Sequence, residues 1–285
     1  MSRGFATRIG SLIAVGAGVA LYWPVITKLV HDWLHDDNYS HGILIVPLAA
    51  FFVWERRRRL AMTADAPRLW GLLVVVFGLV MLLAGQLGAE LFLGRTSMLF
   101  VLAGAIVFLR GTPALKVLAF PLAFLLLMIP LPAIIFNQIA FPLQLLASRA
   151  GEAALSLSGI PVLREGNVIV LAHITLEVAE ACSGIRALVS LLTLGIVYGY
   201  FTDDRVGVRT VIALATIPIA IVANAARVAG TGIAAQYFGE RAAEGFFHTF
   251  SGWLVFVAAF AMLFVVGRTI EWLAPAQATP RAAAA

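Results

Sequence analysis

The chain has 285 residues, of which 61% are hydrophobic and only 12% charged, and its formal net charge is +5 at pH 7. Soluble domains carry roughly 25% charged residues, so a mean hydropathy of +0.97 excludes an ordinary water-soluble fold and describes an integral membrane protein. The basic residues lie between apolar segments, with no soluble domain to form a nucleic-acid groove, so the charge reports topology and no nucleic-acid partner is expected.

About 20 apolar residues cross a bilayer, and on that scale the chain offers eight candidate spans, at 5–27, 39–54, 70–87, 91–109, 114–131, 183–201, 208–227 and 248–270. The first is longer than the ~7–15-residue core of a cleaved signal peptide and reads as a retained helix. Between it and the second, the polar run from His31 to Gly42 holds Asp32, Trp33, His35, Asp36, Asp37, Asn38, Tyr39, Ser40 and His41. His31 and His35 have a metal-compatible spacing, but nothing around them singles out an ion. The run reads as a hydrogen-bonded loop with Tyr39 and His41 as candidate substrate contacts, and neither a metal nor a cofactor is expected.

After Pro130-Leu131-Pro132, residues 133–158 mix Ile134, Ile139 and Leu143 with Asn137, Gln144 and Glu152, which suits one or two helices at the membrane interface. The period then changes. Val162-Leu163-Arg164, Val168–Leu171 and Ile174–Val178 read as short strands around a Gly166-Asn167 turn. The expected fold class is therefore an all-α polytopic membrane protein of about eight transmembrane helices, with interfacial helices and a small outer β segment. Residues 1–275 form its one domain, and the Ala-rich 276–285 is expected to be a disordered tail.

Cytoplasmic loops keep Lys and Arg. The cluster Arg56–Arg59, with Arg3, Arg8, Arg110, Arg205 and Arg268, places both termini in the cytoplasm. Span six then starts, span seven ends and span eight starts on the outer side, which brings Cys182, Arg227 and His248 to one membrane depth. Cys182 is the single cysteine and can form no disulfide within the chain. A cysteine at a helix N-terminus is biased toward thiolate. Imidazole can take the thiol proton and later protonate a leaving amine, and a guanidinium can hold an oxyanion or carboxylate. Arg186 and Glu180 flank the cysteine; Glu180 opposes thiolate formation unless Arg186 neutralises it. Taken singly, an inert packing cysteine, a lipid-anchoring arginine and a structural histidine are competing readings.

The motifs Asp32-Trp33 with Asn38-Tyr39-Ser40-His41-Gly42, Met128-Ile129-Pro130-Leu131-Pro132, Glu180-Ala181-Cys182-Ser183-Gly184-Ile185-Arg186, Asn224-Ala225-Ala226-Arg227, and His248 with Gly252 and Trp253 give the chain its resemblance to the exosortase/archaeosortase family, exosortase A type. The resemblance implies a membrane cysteine transpeptidase of the bacterial inner membrane, with its active site on the periplasmic side. Its partners are exported proteins that end in a PEP-CTERM sorting signal: a Pro-Glu-Pro motif, an apolar helix and a basic tail. The implied catalytic residues are Cys182, Arg227 and His248, with Arg186, Glu180, Ser183, Asn224, His41 and Tyr39 supporting them or the substrate. Hydrolysis and transfer to an exopolysaccharide or lipid acceptor both stay open. Some members extend into a C-terminal periplasmic domain; here such a domain is expected on a separate protein. The competing function is a transporter or assembly subunit for exopolysaccharide precursors, in which the arginines and histidines bind an anionic group.

Overall fold

A bilayer offers no water to backbone N–H and C=O groups, so apolar runs of this length satisfy them internally as helices. The structure, a computed structural model, describes residues 3–172, 175–178, 184–239 and 245–273, with side chains described outside 3–15, 245–249 and 251. The expected disordered tail lies outside the described residues. The chain divides into two compact units, Met1–Pro132 and Ala133–Ala285.

The first unit holds α1 (Arg3–His35), α2 (Gly42–Glu55), α3 (Arg57–Met62), α4 (Trp70–Leu87), α5 (Leu91–Arg110), α6 (Thr112–Phe124) and a 3-10 turn (Leu125–Met128). Its tightest element is the α4/α5 hairpin, where Gly71, Gly78 and Gly85 recur along one stripe of α4. A Cβ on these three would come within 2.4, 2.8 and 2.8 Å of Phe108 N, Val101 Cγ2 and Gly94 N on α5. Without a hydrophobic drive between helices in lipid, such close backbone approach is what holds them together. The turn between them ends on Glu90, whose carboxylate accepts the Leu93 N–H at 2.6 Å as a helix N-cap.

Two expected boundaries change. α1 runs through Asp32 and Trp33 to His35, because nothing between Thr27 and His35 breaks a helix and Lys28 pairs with Asp32 one turn on, at 2.8 Å. The run expected as a loop from His31 is thus helical over its first five residues. α2 has 14 residues, which at about 1.5 Å each reach about 21 Å, short of the ~30 Å hydrocarbon core. Among the described residues, five helices are long and apolar enough to cross a membrane: α4, α5, α8 (Ile185–Thr202), α9 (Val206–Phe238) and the Gly252–Leu273 part of α10 (Gly245–Leu273). α6 with the 3-10 turn and α7 (Ala133–Leu157) would together make a sixth.

The second unit consists of α7, strands β1 (Val162–Glu165), β2 (Val168–Leu171) and β3 (Thr175–Glu177), and α8 to α10. The meander read from the sequence is present as an antiparallel sheet in the order β1-β2-β3. Segment 133–158, expected as one or two interfacial helices, is one helix that serves the sheet as a platform. Ser148 Oγ donates to the Gly166 carbonyl at 3.0 Å, and the Arg164 guanidinium pairs with Glu152 at 2.7 Å. α9 packs against α7, α8 and α10. One apolar cluster joins Leu191 of α8, Ile212, Ile219 and Ala223 of α9, and Ala259 and Leu263 of α10. A second joins Ala147 and Leu155 of α7, Ile169 and Leu171 of β2, Val178 and Val228.

Candidate active site

The cysteine motif reaches the structure at Gly184. Cys182, Glu180 and Ser183 lie outside the described residues. Gly184 is the N-cap of α8 in a left-handed conformation, φ 79°, and the first intrahelical bond runs from the Leu188 N–H to its carbonyl at 2.7 Å. The position requires glycine for a second reason: a Cβ there would stand 2.8 Å from Cγ of Asn224. Asn224 is only 5% exposed and, with Gly184, Leu188, Ala220 and Leu143 of α7, lines a small cleft where α7, α8 and α9 meet. α8 begins at Ile185. Arg186 is half-buried in its first turn.

Asn224 and Arg227, three residues apart, share one face of α9. The half-buried Arg227 guanidinium lies against α10 at Gly252, where a Cβ would come within 3.3 Å of Nη2 and 3.4 Å of Cζ. Gly252 is four residues after His248, so both positions occupy the same face of α10. The His248 side chain itself lies outside the described side chains. The N-terminus of α8, the Asn224–Arg227 face of α9 and the first turns of α10 therefore meet within one helical turn. Gly184 and Gly252 make that meeting possible, a part sequence reasoning missed. Both glycines stood inside the quoted motifs, and a glycine one turn from a candidate base was the available signal.

The sheet adjoins the same stretch of α9. Val228, next to Arg227, is buried in the cluster with Ile169 and Val178. A Cβ on Gly151 of α7 would meet Val228 Cγ1 at 2.6 Å and Ile169 Cδ1 at 3.2 Å, so helix, sheet and α9 are in close contact there.

Tyr39 and His41 belong to the first unit, and their described contacts lie within it. Trp33 donates its indole N–H to the Met128 carbonyl at 2.9 Å, His41 Nε2 lies 3.2 Å from the Leu127 carbonyl, and the Tyr39 phenol hydrogen-bonds the Leu131 backbone. The two motifs quoted from this half are thus a single device, a loop fastened to the segment that ends α6. Burial holds the His41 imidazole below the usual histidine range, which keeps it neutral near pH 7. His31 and His35 stack on each other, ring centroids 4.1 Å apart.

Behind that loop is an ion pair the sequence did not single out. Arg95 of α5, 3% exposed, pairs with Asp32 of α1, which also holds Lys28. A buried charge stripped of its partner costs about 3–5 kcal/mol. Asp32→Ala is therefore expected to lower the thermal midpoint of the detergent-solubilised protein sharply, and adding Arg95→Met is expected to recover most of the loss. Equal midpoints for the single and double variants would refute this.

The model of the transmembrane exosortase family matches residues 33–265, which takes in the fastening loop, the sheet, α8, α9 and α10 as far as Val265. The chain belongs to the exosortase family. No curated protein and no solved structure matches it. Exosortases are membrane cysteine transpeptidases, so membership supports a membrane transpeptidase or protease role for this multi-pass chain. The family match runs through both compact units. The loop–Met128 device and the meeting of α8, α9 and α10 are thus both parts of an exosortase, the one at the end of α6 and the other around α9.

Proposed function

We propose that this exosortase cleaves the C-terminal PEP-CTERM sorting signal of exported proteins at the periplasmic face of the bacterial inner membrane, through an acyl-enzyme on Cys182. The observation that carries the reading is the meeting just described: Gly184, two residues after Cys182, rests on Asn224, and Arg227 rests on the α10 face that bears position 248. The membrane side follows from charge. A sorting signal with an apolar helix and basic tail inserts with its charges inside, which presents its Pro-Glu-Pro motif on the opposite side, where the positive-inside rule puts these helix ends.

In this mechanism His248 takes the thiol proton and the Cys182 thiolate attacks the scissile carbonyl carbon. The negative charge that forms on the carbonyl oxygen is stabilised by the Arg227 guanidinium and the positive end of α8. The tetrahedral adduct collapses to a thioester as the C–N bond breaks, and His248 protonates the departing amine. Water or an acceptor nucleophile then displaces the thiolate, with His248 as base, giving release or transfer to a cell-envelope acceptor. Asn224, buried against Gly184, positions the approach to the cysteine.

The test is capture of the intermediate. Purified protein incubated with a client tail and quenched in acid is expected to show a mass increase on the Cys182 peptide equal to the acyl portion of the client, removable by hydroxylamine. A fully inserted protein that processes its client while carrying no adduct at Cys182 would overturn the covalent mechanism. A protein that neither processes nor acylates favours the transporter or assembly reading.

A further inference from the structure

Strand β3 ends the sheet. The order β1-β2-β3 gives it one paired edge, and among the described residues no other strand joins it. The direction of its peptide groups follows from the ladder. The Val178 N–H donates to the Asn167 carbonyl at 2.9 Å, so position 178 turns its peptide groups toward β2. Along an antiparallel strand these groups alternate residue by residue. Leu176, opposite Ile169, has the parity of Val178. Thr175 and Glu177, opposite Val170 and Val168, have the other parity, and their N–H and C=O groups face the open edge. Two donors and two acceptors are thus presented at the two-residue repeat that an extended peptide matches.

That edge is anchored by its apolar side chains to α9 beside Arg227. Leu176 and Val178 pack into the cluster that contains Val228, the neighbour of Arg227. Glu177 precedes Cys182 by five residues, a reach of at most ~18 Å of extended chain. Thr175 and Glu177 are themselves exposed. Open sheet edges recruit strands unless they are covered or blocked, and peptide-binding domains use this through strand addition.

We propose that the open edge of β3 is the docking strand for the client: the extended segment just ahead of the client's membrane helix pairs with the backbone of Thr175 and Glu177 and is thereby led to Cys182 in a set register. This rests on the peptide-cleaving reading above and adds how the substrate backbone is held. Prolines at alternate client positions suit the pairing. They face away from β3, where a missing N–H loses no bond and discourages a further strand, while the residue between them bonds to the edge.

Two experiments on the full-length protein in membranes test the edge. Glu177→Pro deletes an outward N–H and leaves the ladder to β2 intact. It is expected to reduce client processing about tenfold or more, mainly through KM, because one or two hydrogen bonds to the substrate are lost. Processing at the parental rate would overturn the docking proposal. The second experiment stays informative if the proline variant folds poorly. In a Cys182→Ala, Thr175→Cys background, single cysteines are walked along a client tail under oxidation. Disulfides at every second position are expected, since alternate residues share a face. Uniform or absent cross-linking along an inserted client overturns the docking. Processing that survives Cys182→Ala alone would instead overturn the underlying reading, whatever the edge variants do.

Discussion

Cys182→Ala is expected to leave the chain in the membrane at the parental level and to reduce processing of a client carrying a C-terminal sorting signal by about 10⁴-fold or more, the scale seen when a catalytic nucleophile is deleted. The measurement is the mass of the client's C-terminus after co-expression. Cys182→Ser serves as the isosteric companion: its hydroxyl fills nearly the same space, yet at neutral pH it is far less ionised than a thiol. It too is expected to fall near background. The alternatives separate cleanly, because a transporter or assembly subunit loses nothing essential with one small apolar-like side chain. Parental function in Cys182→Ala would remove the enzyme reading altogether.

Arg227→Ala is expected to lower kcat by about 10²- to 10³-fold, the effect of removing one oxyanion donor, with KM little changed. The split follows from timing: a group that contacts charge formed only in the transition state contributes nothing to substrate binding. Arg227→Lys should recover only part of the loss, because an ammonium is a point donor without the planar fork. The structural control is a thermal midpoint. The guanidinium packs on Gly252, so truncation also opens space between α9 and α10, and a midpoint close to parental separates the chemical effect from a packing one. If kcat is unchanged while KM rises, Arg227 holds the substrate and the oxyanion assignment is wrong.

The fastening of the first unit satisfies backbone of that same unit. Trp33 Nε1, the Tyr39 phenol and His41 Nε2 each bond a backbone group of residues 127–131, where the chain leaves helix. The residue before Pro130 is held extended, Ile129 at ψ 118°, as a following proline requires. Backbone groups released there need partners, and the motif side chains supply them. The motif residues of this half therefore have a structural account that does not require contact with substrate.

The membrane character, the helical class, the short β meander and the polar ends of the spans were all legible in the sequence, because each is a local property: hydropathy over about 20 residues, a switch from helical to two-residue period, the scatter of Lys and Arg. Placing Arg227 at a helix position that another element touches was not local. A lipid-facing helix is apolar on every side, so its pattern does not say which face meets which neighbour. Tertiary packing decided that Gly184 abuts Asn224, that Arg227 lies on the α10 face of position 248, and that Asp32 captures the buried Arg95. In each case the deciding contact joins residues far apart in the chain, through close approach at glycine or through a buried charge that must find its counter-ion. Those two requirements act only once the helices are side by side.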